Sequence, residues 1–324
     1  MGFPESLRVL SNRTMRSLLL SLSHRRSLAR AAVRSPLTRA VVARFVAGET
    51  LEAAMPAISE LKRAGLRTTV DVLGESVTSA DEAAAAVDQY LATIAALSAR
   101  GLDANVSLKL TQMGLEIDPS ICLANVMRVV EAVRAADGFV RLDMEDHTKT
   151  GATLDVWRAA YEAYPKVGVV IQAALRRSSA DVDEIIAAGG HVRLCKGAYD
   201  EPGVVAYRSR AAVDANYAQL MKRLIVADAY PALATHDPRL IAKAIAFAEA
   251  EGIGRERFEF QMLYGVRRDL QRTLIDRGYT VRIYVPYGAE WYPYFMRRLA
   301  ERPANVAFML RAIIKEEGRR AAGH

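Results

Sequence analysis

The sequence predicts a (β/α)8 barrel, and three observations carry that reading. From residue 68 onward, short runs rich in Val, Ile and Leu alternate with Ala-rich amphipathic segments. Eight such runs occur, and their starts lie 22 to 40 residues apart, each with room for a helix before the next. A doubly wound open sheet accounts for this even series less well. A barrel of this type takes about 250 residues. Residues 68–320 of the 324-residue chain supply that length, so residues 1–60 are expected to form basic helices and residues 61–324 the barrel.

The expected strands are, in order, TTVDVLGE (68–75), NVSLKLTQMG (105–114), FVRLDMED (139–146), VGVVIQAAL (167–175), HVRLCKGAY (191–199), PALATHD (231–237), FEFQMLYG (258–265) and TVRIYVPYG (280–288). Upstream, the spacing of Leu18 and Leu22, and of Val33, Leu37 and Val41, predicts two or three short helices interrupted at Pro36. A closed barrel makes a further demand, because alternate strand residues point inward and functional side chains gather at strand C-termini. One parity carries Ser107 and Lys109, then Arg141, Asp143 and Glu145, then Arg193 and Tyr199, then Glu259 and Gln261, then Arg282 and Tyr284. The opposite parity is mostly Val, Leu, Ile, Met and Phe. Charges inside a barrel must be paired or functional, since an unpaired buried ion is costly.

With 51% hydrophobic and 25% charged residues, the composition excludes intrinsic disorder. The net charge of +7 first suggests nucleic acid or an anionic membrane as partner. Its location argues against nucleic acid. Residues 1–44 hold nine Arg and a single acid, Glu5, whereas the remaining 280 residues hold 35 basic and 36 acidic side chains. This Arg-rich start suits a surface amphipathic helix better than a transit peptide. No run approaches the roughly 18 apolar residues of a membrane span. The short apolar stretch at 17–23 lacks a small-residue cleavage site, so no export is expected. Cys122 and Cys195 are the only cysteines, which excludes a disulfide framework or Cys-rich zinc site and favours a reducing compartment. The expected location is cytoplasmic, and the N-terminal helices are expected either to make peripheral contact with the inner face of the cell membrane or simply to cover part of the barrel with their arginines solvated.

No G-x-G-x-x-G follows a strand, and neither a G-x-x-x-x-G-K-[ST] loop nor H-E-x-x-H occurs. No metal site is expected. Lys109, between leucines on an expected strand, fits an ion pair, a Schiff base, or a cation that receives a substrate carboxylate or a flavin. Asp143 and Glu145 share a face and fit either a general acid/base pair or anchors for inward arginines such as Arg193. Arg297 and Arg298 fall on a helix after the eighth strand, one turn beyond Tyr294 and about two turns beyond Trp291, and fit either a solvated face or a pair of which at least one points over the barrel mouth. A planar guanidinium there suits bidentate capture of a carboxylate.

The segments LDMED (142–146), RLCKGAY (193–199), ATHD (234–237), FEFQMLYG (258–265), RIYVPYG (282–288) and RRLAER (297–302), in this order and at this spacing, resemble the proline dehydrogenase family. Its members are flavin enzymes that oxidise L-proline to Δ1-pyrroline-5-carboxylate, the first step of proline catabolism to glutamate. The resemblance runs from VDVLGE (70–75) to about Arg311 and points to the short monofunctional bacterial branch. It implies FAD as cofactor, with Arg193 near flavin N5 and Gln172 at the pyrimidine edge. Lys196, Gly197 and Ala198 are implied along the cofactor, Thr235 and His236 at its phosphate or adenosine portion, and Met144 near the ring.

For the substrate, the resemblance implies that Lys109, Arg297 and Arg298 clamp the proline carboxylate. Tyr199, Leu263 and Tyr284 shape the apolar side, and Asp143 orients the network that closes the site. Tyr284 is the implied discriminator against 4-hydroxyproline, and Glu75 the implied gate partner of Arg297. The implied electron acceptor is a membrane quinone, and the aldehyde-oxidising step is expected on a separate pyrroline-5-carboxylate dehydrogenase. Cys195 departs from the branched apolar residue common at its position and is expected to be inert. Two other readings stay open on the residues alone: a Schiff-base aldolase using Lys109 or Lys196, and a non-enzymatic nucleic-acid binder, which leaves the inward charges unexplained.

Overall fold

The computed structural model describes residues 42–227 and 229–301, with side chains to Met296. The helices expected before residue 42, and their charge, lie outside the described residues. Eight parallel strands close into a barrel in sequence order: β1 (Arg67–Val72), β2 (Asn105–Leu108), β3 (Phe139–Leu142), β4 (Val167–Gln172), β5 (His191–Cys195), β6 (Ala232–Ala234), β7 (Glu259–Leu263) and β8 (Thr280–Tyr287). Helices α1 (Leu51–Arg63), α2 (Ala80–Ala99), α3 (Pro119–Ala135), α4 (Thr150–Ala163), α5 (Ser178–Ala187), α6 (Arg210–Val226), α7 (Pro238–Ala250), α8 (Arg268–Asp276) and α9 (Trp291–Glu301) accompany them.

The helices begin where local chemistry satisfies their free N–H groups. Ser79 caps α2, Asp118 caps α3, Ser209 caps α6 and Asp237 caps α7, each accepting from a first-turn backbone N–H. Pro at the first turn of α3 and α7 removes a donor that would have no intrahelical partner. The outward strand residues Val70, Val106, Leu108, Val140, Leu142, Val169, Ile171, Val192, Leu194, Phe260 and Ile283 are fully or almost fully buried beneath the helices.

Parallel pairing brings the inward residues into register, with Asp71 beside Ser107, Ser107 beside Arg141, Val170 beside Arg193, Gln261 beside Arg282, and Leu263 beside Tyr284. Small residues on this face, Gly168, Ala232 and Ala234, leave the volume that long arginines occupy. Arg282 donates to Glu259 at 2.8 and 3.1 Å and to the Thr68 carbonyl at 2.9 Å. Arg141 donates to the carbonyls of Val169 and His191 at 3.3 and 2.8 Å. These pairs fill the barrel on the strand-start side of Arg193. The sequence alone correctly separates wall from interior because the alternation has a period of two.

The strands are shorter than expected. β2 stops at Leu108 and β3 at Leu142, so Lys109, Asp143 and Glu145 lie just past strand ends. β5 stops at Cys195, and its alternation does not reach Tyr199, which stands on the following loop with 43% exposure rather than inside the barrel. The apolar residues after β2 misled the reading, since Leu110 and Met113 are buried in a turn rather than a strand.

The chain forms two compact units. Residues 55–286 form one, which holds the barrel strands up to Pro286. In the other, which combines the segment up to Ala54 with that from Tyr287 onward, Trp291 Nε1 donates to Glu49 at 3.0 Å and Phe45 meets Phe295 at 6.3 Å between centroids. Helix α1 runs across residue 60, the boundary expected from sequence.

Candidate active site

The polar side chains converge where the strands end, the location of active sites in this architecture. Arg193 is the centre. Its Nε donates to Gln261 Oε1 at 2.5 Å, Nη1 to Asp143 Oδ1 at 2.7 Å and Nη2 to Ser107 Oγ at 2.8 Å. These partners come from β7, the end of β3, and β2, so the guanidinium spans the barrel. Asp143 Oδ2 accepts the Tyr284 hydroxyl proton at 2.7 Å, and the Arg193 guanidinium lies 5.3 Å from the Tyr284 ring centroid. Burial, reinforced by the charge of Asp143, holds the Tyr284 phenol well above its ordinary range.

Asp143 and Glu145 therefore have different tasks. Asp143 anchors an arginine and a tyrosine. Glu145 turns away and accepts from the Thr111 backbone N–H at 3.0 Å and its hydroxyl at 2.5 Å. Burial raises the Glu145 carboxyl against the lowering effect of those bonds. The Gln172 carboxamide, 3% exposed at the end of β4, donates to the Glu145 carbonyl at 2.8 Å.

Lys109 pairs with Asp71 at 2.9 Å. Burial alone would push the Lys109 ammonium down, but Asp71, Asp143 and Glu75 outweigh it and hold the group above its ordinary value of 10.5. A Schiff-base lysine needs the neutral amine, so this arrangement opposes the aldolase reading. Lys196 likewise sits between Asp214 at 2.5 Å and Asp237 at 3.1 Å. Arg239 and Lys196 in turn hold the Asp237 carboxyl well below its ordinary range. The His236 Nε2 accepts the Leu263 backbone N–H at 3.0 Å, which puts the ring proton on Nδ1 and joins the ends of β6 and β7. Thr235 is buried beside it and accepts from the Asp237 backbone N–H at 3.1 Å.

Of the residues expected at the site, the structure gathers Lys109, Asp143, Met144, Gln172, Arg193, Lys196, Gly197, Thr235, His236, Leu263 and Tyr284 on strand ends of one barrel rim. Ala198 and Tyr199 are exposed on the loop after β5, and Glu75 is half-buried three residues past β1. Arg297 and Arg298 lie on α9, beyond the described side chains. Burial pushes the Cys195 thiol up to about 11, so it is a poor nucleophile. Among the described residues, no group of three His, Cys, Asp or Glu is placed to hold a metal ion.

Sequence reasoning assigned no role to Asp71, although it lies within the VDVLGE segment. Its signal was available as an acid flanked by Val70 and Val72 on the inward parity. Asp214 was also missed, because nothing local marks a carboxylate on α6 as the partner of Lys196.

A closed (β/α)8 barrel whose C-terminal rim joins a buried arginine, a paired lysine and an oriented tyrosine defines a barrel enzyme. The proline dehydrogenase family model matches residues 54–311. The chain is 42% identical to proline dehydrogenase of Deinococcus radiodurans over 277 residues, 84% of this chain and 89% of that protein. It is 38% identical to proline dehydrogenase 2 of Bacillus subtilis over 86% of this chain and 92% of that one. Among solved structures, proline utilization A from Bdellovibrio bacteriovorus, inactivated by N-propargylglycine, superposes with a TM-score of 0.76 at 28% identity. That match covers 81% of this chain, which spans about a third (32%) of that larger protein. The chain belongs to the proline dehydrogenase family, and its activity is the oxidation of proline. No described helix is long and apolar enough to cross a membrane.

Proposed function

We propose that the rim binds FAD, that L-proline is oxidised there to Δ1-pyrroline-5-carboxylate, and that a membrane quinone is the final electron acceptor. When bound, FAD supplies the acceptor for the hydride leaving the ring carbon beside the proline nitrogen. The observation that carries the cofactor reading is the state of Arg193. Its three bonds use one N–H on each nitrogen, and a guanidinium has five, so one donor on each terminal nitrogen is left for a ligand. A flavin ring offers acceptors along one edge and alternating donors and acceptors along the pyrimidine edge. Gln172, with donor and acceptor side by side, suits the second edge.

Gly197 fits the same purpose. Its φ of +102° is a conformation that side-chain-bearing residues rarely adopt, and a Cβ there would lie 3.1 Å from Gln172 Oε1. The backbone therefore passes close to the carboxamide, with Lys196 and Ala198 on either side. Lys196 contributes positive charge to a phosphate-bearing ligand, with Thr235 and His236 brought near it by its 3.1 Å ion pair with Asp237, and Met144 contributes an apolar surface.

For the substrate, Lys109 is the cation this barrel supplies to the carboxylate. Arg297 and Arg298 enter the reading from the sequence pattern alone, as does the Glu75 gate. Leu263 and Tyr284 bound the ring, and Tyr199 joins them by the same pattern. Asp143 holds Tyr284 and Arg193 in place, and solvent or this network receives the amine proton. The Arg-rich N-terminal segment gives a peripheral attachment to the inner face of the membrane, and a separate pyrroline-5-carboxylate dehydrogenase consumes the product.

The deciding experiment is the colour of the purified protein under anaerobic conditions. A yellow preparation that bleaches on adding L-proline supports the reading. A colourless protein that borohydride links to a carbonyl substrate overturns it. Deleting residues 1–30 should lower liposome binding while leaving activity with a soluble dye intact.

A further inference from the structure

Two loops carry half of the proposed flavin contacts. The loop after β3 bears Met144 and Glu145, and the loop after β5 bears Lys196, Gly197 and Ala198. They leave the barrel on either side of β4 and are 50 or more residues apart in sequence. Glu201 joins them. Its Oε1 accepts the His147 backbone N–H at 2.9 Å, and its Oε2 meets the Nδ1 of the same histidine. The carboxylate side chain is 6% exposed, whereas the imidazole is 30% exposed. A carboxylate buried to this degree is held by what it bonds, and here both oxygens go to one residue of the other loop.

Other contacts fix the remainder of the β5 loop to the β4 loop. The Arg176 backbone N–H donates to the Val205 carbonyl at 2.9 Å, and the Tyr207 N–H donates to the Ala174 carbonyl at 2.8 Å. The Ala174 N–H donates to the Lys196 carbonyl at 2.8 Å. Gln172 reaches the β3 loop from beneath, through the Glu145 carbonyl. The His147–Glu201 link closes this circuit on its outer side, so that the β3, β4 and β5 loops form one connected rim around Gln172.

We propose that Glu201, acting through His147, is a positioning residue that fixes the β3 and β5 loops at the spacing the cofactor requires. Neither residue is among the proposed cofactor contacts, and no local sequence pattern marks either one. The inference rests on the proposed binding of FAD to this rim. Breaking the link leaves every proposed contact residue in place but lets the loops separate, so cofactor retention falls before chemistry does. Two hydrogen bonds to a carboxylate are at stake, and one such bond corresponds to about a tenfold change in an equilibrium constant.

The test measures FAD affinity by fluorescence quenching on the deflavinated full chain for wild type, Glu201→Ala, His147→Ala, the double variant and His147→Asn. His147→Ala, which removes only the side-chain bond, should weaken FAD binding about tenfold and Glu201→Ala, which removes both bonds, by more than that, with the double variant no weaker than Glu201→Ala alone. His147→Asn, whose side-chain amide can donate in place of Nδ1, should recover most of the affinity. At saturating FAD, kcat should return to within about twofold of wild type. Circular dichroism and thermal melting show whether each variant folds, and the Asn variant keeps the test decisive if an Ala variant does not. Wild-type affinity in folded Ala variants overturns the proposal, as does additive loss in the double variant. Failure of the wild-type protein itself to bind FAD overturns the cofactor reading instead.

Discussion

Lys109 and Asp71 meet at 2.9 Å just where β2 and β1 end, with the carboxylate side chain fully buried and the lysine side chain 15% exposed. One Asp71 oxygen takes the ammonium, and the other, Oδ2, is buried without a hydrogen-bond partner. Such a carboxylate is tolerated because its neighbour is a cation that it fixes in position. The pair uses one of the three N–H donors of the ammonium, which leaves two that it does not use. Asp71→Asn should therefore loosen Lys109 and raise the KM for proline about tenfold, the scale of one charged hydrogen bond, with a smaller change in kcat. Steady-state kinetics check this, and a fall confined to kcat would place Asp71 in a different role.

Glu259 and Arg282 give a prediction about stability and pH. Burial raises the Glu259 carboxyl, but Arg282 and Gln261 outweigh it and hold it below its ordinary value of 4.5. A group whose folded-state value is depressed stabilises the fold fully above 4.5. That contribution is lost as pH falls through the folded-state value. The wild-type protein should lose thermal stability steeply in acid, and Glu259→Gln should flatten that loss. The same variant should be less stable at neutral pH by about 3–5 kcal/mol, because the Arg282 charge stays buried without its partner. Thermal melts from pH 7 down to 3 would show both effects, and parallel curves for the two proteins would refute the assignment.

The eight strands were legible because period-two alternation and even spacing are local signals. Their C-terminal ends were not, because apolarity reports burial and not conformation: Leu110 and Met113 are as buried in their turn as Leu108 is on its strand. The inward parity correctly flagged Arg193, Asp143 and Tyr284, yet their bonding depends on closure across the barrel. Glu145 shows the limit of parity, since three residues past the end of β3 the alternation no longer holds and its carboxylate meets Thr111 instead of an inward arginine. His147 and Glu201 were invisible for a related reason: they lie on loops, where no periodicity constrains direction, and meet only after β3, β4 and β5 are aligned.

Gly168 faces Arg141 inside the barrel. A Cβ at this position would lie 2.3 Å from Arg141 Nη1 and 2.7 Å from the His191 carbonyl oxygen. The guanidinium cannot retreat cheaply, because it donates to that carbonyl and to Val169 while lying 4.7 Å from the Phe139 ring centroid. Gly168→Ala should cost about 1–3 kcal/mol, the range for overpacking a tight interior. Chemical denaturation measures this. A neutral effect would mean that β4 shifts away from β3 without strain.

Tyr284 combines a hydroxyl that donates to Asp143 at 2.7 Å with a ring that packs beside Arg193 at 5.3 Å. Two substitutions separate these contributions. Tyr284→Phe removes the hydroxyl and keeps most of the volume, which leaves Asp143 one donor short. A lost hydrogen bond to a charged group reduces kcat/KM for proline about tenfold. The ratio of proline to 4-hydroxyproline turnover should stay near that of wild type, because the space beside the ring carbon is unchanged. Tyr284→Ser removes the ring as well. It should lower proline activity further and shift the ratio toward 4-hydroxyproline, since room for the added hydroxyl is created where the ring stood. Comparing kcat/KM for both substrates in both variants tests the hydroxyl and the ring separately. If the Phe variant shifts the ratio as far as the Ser variant, the phenolic hydrogen bond, and not ring volume, sets the preference. If neither shifts it, Tyr284 positions Asp143 and Arg193 without reading the substrate.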